Sequence, residues 1–172
     1  MLLMLLPAFT VATAQRLDFE QLEHMLYASL DGAEENLFLL GYSFLHKKEN
    51  PDSLGVIYTF SNRKQTIGTA KMVAKVVYPN ELDKSLLKYI TYDRSEFESF
   101  RKLMVENQFI RSDKDDISEN SNYSKGSLKV NFEVTTDEYE NKVFYISLST
   151  QKPLQIEKLP KKLSLKNIFK QG

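Results

Sequence analysis

The chain has no cysteine and no tryptophan, and only two histidines, six glycines and five prolines in 172 residues. Each scarcity excludes something. Without cysteine there is no disulfide, no thiolate nucleophile, no Cys-ligated zinc and no site for lipid attachment. The histidines are His24 and His46. Glu20 and His24 stand four residues apart and share one helical face, but one carboxylate and one imidazole are fewer ligands than a stable zinc site uses. His46 falls beside a Lys-Lys pair and reads as a solvated residue.

No HExxH, GxSxG or SxxK motif occurs, and the scattered glycines form no phosphate-cradling loop. Glycoside hydrolysis needs a pair of carboxylates, and the sequence singles out no pair among its 23 acidic residues. The acidic stretch with Asp113, Asp115, Asp116 and Glu119 lacks the spacing and the glycine of a calcium loop. It reads as a solvated loop, and Asn122-Tyr123-Ser124 within it matches the N-glycosylation pattern. Neither metal nor cofactor is expected, and the sequence favours a binding protein over an enzyme.

Long apolar runs are also scarce. The uncharged one, Leu2–Ala14, would span roughly 20 Å as a helix, short of a bilayer core of about 30 Å. It ends in Ala12-Thr13-Ala14, the small-x-small pattern of a signal-peptide cleavage site, although no basic residue opens it. Pro7 and the lack of a polar face argue against a buried helix. Residues 1–14 are therefore expected to be a cleaved signal peptide, and the mature protein to be periplasmic or secreted. Residues 15–150 are expected to form one domain, and residues 151–172 a tail.

Net charge is zero but unevenly placed. The tail holds Lys152, Lys158, Lys161, Lys162, Lys166 and Lys170 against Glu157 alone, and the preceding body is acidic by the same margin. Around Ser164, the residues Leu165, Ile168 and Phe169 share a helical face flanked by lysines. Lys158, Lys161, Lys162, Lys166, Phe169 and Lys170 are thus the candidate interaction residues, suited to an anionic membrane surface or an acidic partner. Nucleic acid is not expected as a partner of an exported protein.

Hydrophobic spacing supplies the fold class. Asp18 and Gln21 form a capping box, and Phe19, Leu22, Leu26, Leu30, Ala33, Leu37 and Leu40 recur at helical steps. The spacing predicts a helix over 18–40, with Gly32 marking a bend and Gly41 the residue after its end. Period-two segments follow at 42–48, 55–61, 67–78 and 85–92. In the third, Ala70, Met72, Ala74, Val76 and Tyr78 are expected on the buried face, with Lys71 and Lys75 opposite. Ser95 and Glu98 suggest a second capping box, opening a helix with Phe97, Phe100, Leu103 and Met104 inward. Two further strands follow, at 126–136 and 142–150.

The expected fold is α+β: an antiparallel sheet of about five or six strands with two amphipathic helices on one face. Its order is helix–strands–helix–strands, and a degenerate tandem repeat is one reading of that order. The expected function is an exported, non-catalytic binding domain of the cell envelope that meets another envelope protein or a peptide. The alternatives are a small envelope hydrolase using a carboxylate pair, and a membrane-surface protein attached through its basic tail.

Overall fold

The computed structural model describes residues 16–50, 55–66, 68–79, 81, 84–112 and 119–150. The expected signal peptide and the tail with Lys158, Lys161, Lys162, Lys166, Phe169 and Lys170 lie outside the described residues.

Capping decides where the first helix begins and ends. Asp18 accepts from the Gln21 N–H at 2.7 Å, and the Gln21 side chain accepts from the Asp18 N–H at 2.9 Å. This opens α1 (Phe19–Tyr27). The chain then turns extended at Ala28, and Ser29 caps a separate helix, α2 (Leu30–Leu39), by accepting from the Gly32 N–H at 3.1 Å. The single helix expected over 18–40 is therefore two. The break falls at Ala28–Ser29 because serine offers the free backbone donors a local acceptor, and Gly32 supplies the donor rather than the bend. The apolar stripe survives the break: Leu22, Leu26, Ala33 and Leu37 are buried.

Among the described residues eight strands form one antiparallel sheet, more than the five or six expected. They are β1 (Ser43–Asn50), β2 (Gly55–Ser61), β3 (Lys71–Val77), β4 (Ser85–Thr91), β5 (Ile110–Arg111), β6 (Ser121–Lys125), β7 (Leu128–Thr136) and β8 (Lys142–Thr150). The helix α3 (Arg94–Glu106) comes between β4 and β5. The third helix comes from the break in the first, and the extra strands from the polar 111–126 stretch. Strand β6 forms there with Tyr123 packed inward against Phe132, and β5 pairs with it at the start of the stretch. The glycosylation pattern at Asn122 thus sits in a strand, not a loop. His46 likewise lies inside β1, which runs on to Asn50.

The spatial order is β1-β2-β3-β4-β8-β7-β6-β5. Two meanders, each preceded by helix, meet at their last strands. The helix-to-strand junctions match in detail. Gly41 after α2 and Gln108 after α3 both have positive φ, 81° and 60°. The following N–H groups, of Tyr42 and Phe109, return to the Leu37 and Met104 carbonyls, both at 2.9 Å.

The helices α1, α2 and α3 lie on one face of the sheet, where Phe60, Val73, Leu87, Tyr89, Phe132 and Ile146 form the core floor. Each such side chain contributes about 1.5–3 kcal/mol relative to an exposed one. Strand β3 presents Lys71, Val73 and Lys75 to the helices, opposite to expectation, while Ala74 and Val76 are buried on the other face. The two lysines are tolerated inside because the helices hold their partners. A further correction concerns α3. Its cap is Asp93, which accepts from the Glu96 N–H at 3.2 Å, so Ser95 and Glu98 lie within the helix.

Candidate functional site

Two polar clusters fix the helices before any cleft is considered. The first surrounds Glu96, whose carboxylate is fully buried in the first turn of α3. It accepts from Lys71 Nζ at 2.8 Å, Thr91 Oγ1 at 2.9 Å and Tyr89 Oη at 3.0 Å, and pairs with Arg16 at 3.2 Å. Burial, together with the nearby Tyr42 and Glu96, raises the Tyr89 phenol far above its ordinary value. Tyr42 shifts upward for the same first reason. This cluster holds one carboxylate, surrounded by donors from the fold itself.

The second cluster closes α1. Lys75 is 3% exposed, and its Nζ donates to the carbonyl oxygens of Met25 at 2.9 Å and Leu26 at 3.2 Å. Ser85 Oγ donates to the same Leu26 carbonyl. A cation at the carbonyl end of a helix opposes its dipole favourably, while burial lowers the Lys75 pKa to about 8.

A cleft of about 600 Å³ lies between the outer face of α1, the end of α3 and the β6–β7 turn. Its floor is aromatic: Phe19 meets Phe109 edge-to-face with centroids 5.8 Å apart, and Tyr27 and Leu103 extend the apolar surface. One wall is acidic, with exposed Glu20 and half-buried Glu23 on successive turns of α1. Neither has an ion-pair partner among the described residues. The opposite wall is Lys125 and the turn Gly126-Ser127. Lys125 is engaged: its Nζ donates to the Asn107 carbonyl at 2.9 Å and lies 5.6 Å from the Phe109 ring centre. Gly126 turns there with φ 61°, a left-handed conformation suited to glycine. With Asp18, Glu20 and Glu23 against Lys125, the cleft therefore carries an excess of negative charge over apolar rings.

A second groove of about 400 Å³ lies on the other side of α1, lined by Glu20, His24, Met25, Asn36, Leu39 and others. The structure thus places Glu20 and His24 on one groove, without adding further ligands. Among the described residues no group of three or more His, Cys, Asp or Glu side chains converges to hold a metal ion. Glu119, from the acidic stretch, is held by Lys142 at 2.9 Å, whose hydrogen bond keeps the carboxyl below its usual pKa. Asp113, Asp115 and Asp116 lie outside the described residues. No helix among the described residues is long and apolar enough to cross a membrane.

Sequence reasoning missed the cleft. Its lining comes from segments about 100 residues apart in the chain. The one local signal was Phe109, an aromatic residue just past the end of a helix, where the Schellman-type cap turns it back onto the body. No family model, curated protein or solved structure matches this chain.

Proposed function

We propose that the protein is an exported, non-catalytic binding domain of the cell envelope whose cleft receives a lysine-rich, apolar segment of a partner protein or peptide. The observation that carries this reading is the pairing of Glu20 and Glu23 with the Phe19–Phe109 floor. A lysine side chain suits both surfaces: its stem packs on rings while its ammonium meets carboxylates. A neutral apolar ligand would leave the acidic wall unanswered, and an anionic one would be repelled by it. The export part of the reading rests on the Ala12-Thr13-Ala14 pattern.

Two further features accord with the same reading. The strand order and the matched caps at Gly41 and Gln108 fit a degenerate tandem repeat, in which the cleft lies at the helix end of the second unit. The chain's own Lys158, Lys161, Lys162, Lys166, Phe169 and Lys170 have the composition that the cleft would accept. We take these six as its own interaction residues.

The test is fluorescence anisotropy of a labelled peptide copying residues 158–170, titrated with the full chain. Saturable binding should weaken at least about tenfold in the double variant Glu20→Lys, Glu23→Lys, and should fall with salt. Equal affinity in that variant would contradict the proposal. An intact mass beginning at Gln15 in the periplasm or medium tests export; a full-length chain in the cytosol would overturn it.

A further inference from the structure

The two edges of the sheet are unequal. On one side β5 has two residues, a length too short to template another strand. On the other, β1 has eight, and beyond it no described strand pairs. Every second N–H and C=O of an edge strand points outward, unpaired.

Next to this edge lies an apolar patch at the α2–β1 corner. Phe38 is 72% exposed, Leu39 75%, Phe44 44% and Leu45 50%. Further along β1 come His46, Lys47 and Lys48, all exposed. Lys47 lies 5.8 Å from the Tyr58 ring centre on the helix-covered side, while His46 and Lys48 pair with Thr59 and Ile57 on the other. Neither lysine has an ion-pair partner among the described residues. The edge is thus apolar at its start, carries Lys47 and Lys48 on its two faces further on, and ends with exposed Glu49 on the Lys47 face.

From this arrangement we infer a second docking surface, independent of the cleft: β1 accepts an extended segment of another protein as a ninth strand. The segment is acidic where it meets Lys47 and Lys48, and apolar where it meets Phe44 and Leu45. In antiparallel pairing the acidic residues come first along the partner. A second copy of β1 is the wrong occupant, because it brings the same lysines into the pairing zone. The like charges discourage self-pairing and select an acidic strand instead.

The probe is a labelled peptide, Glu-Glu-Glu-Thr-Val-Ile-Val, added to the full chain and followed by anisotropy and amide hydrogen exchange. Binding should slow exchange at residues 43–50. Methylating alternate backbone nitrogens of the peptide should weaken binding at least about tenfold, since strand addition depends on main-chain hydrogen bonds. The surface variant Lys47→Glu, Lys48→Glu should weaken it by a similar factor. The inference is overturned by equal binding of the methylated peptide, by protection at α1 and α3 instead of β1, or by no binding near about 1 mM.

Discussion

The ammonium of Lys75 donates to the carbonyl oxygen of Met25 across 2.9 Å, joining the middle of β3 to the end of α1, 50 residues earlier in the chain. A buried lysine is thus the C-terminal cap of the first helix. This fixes α1 against the sheet, and α1 carries the acidic wall of the cleft.

The position of Lys75 predicts how stability varies with pH. Its pKa is 10.5 when exposed and about 8 when folded, lowered by burial. Between these values the unfolded chain binds more protons than the native one, so stability rises with pH across that window. The rise attributable to Lys75 is on the order of 3 kcal/mol. The buried phenols of Tyr42 and Tyr89 act in the opposite sense. Their raised pKa values mean that the unfolded chain loses protons first as pH passes 10.0, and stability falls above it. Urea unfolding from pH 7 to 11 should show a maximum near about pH 10, and Lys75→Met should remove the rising limb. A monotonic fall in both proteins would contradict the assignment.

Removing Glu96 should be among the most damaging single changes. Glu96→Ala leaves Lys71, whose side chain is 11% exposed, without its carboxylate, and strips three further donors of their acceptor. A loss of about 3–5 kcal/mol is expected by denaturant melting. A loss below about 1 kcal/mol would show that the network does not hold α3 to the sheet.

The matched helix ends predict a stabilising substitution. Gln108 occupies the left-handed position that glycine holds at 41. Gln108→Gly removes the Cβ clash of that conformation and should stabilise by up to about 1 kcal/mol, while Gly41→Ala should destabilise by a similar amount. Thermal melts of the two variants should therefore shift in opposite directions.

What the sequence disclosed follows from the range of the forces involved. Local signals were readable: the Asp18–Gln21 box, the stripe from Leu22 to Leu37, and the clean alternation of β7. Each rests on residues a few positions apart. The α+β class followed from changes in period. The side of β3 that faces inward did not, because Lys71 and Lys75 are held on that side only through Glu96 and the α1 carbonyls, partners distant in sequence. The break at Ser29 was masked by an apolar stripe that continues through both helices. The cleft was invisible for the same reason as the β3 error: Phe19 and Phe109 become neighbours only after folding.

The central claim, that the cleft binds a basic segment, is tested most directly by amide chemical-shift mapping. The full chain, labelled with nitrogen-15, is titrated with the peptide copying residues 158–170. The account predicts shifts concentrated at Phe19–Tyr27, Leu103–Phe109 and Lys125–Leu128, abolished by Glu20→Lys with Glu23→Lys. Shifts confined to the β1 edge would contradict it, as would no shifts at saturating peptide in a full chain whose own tail carries Lys158→Glu, Lys161→Glu, Lys162→Glu, Lys166→Glu and Lys170→Glu.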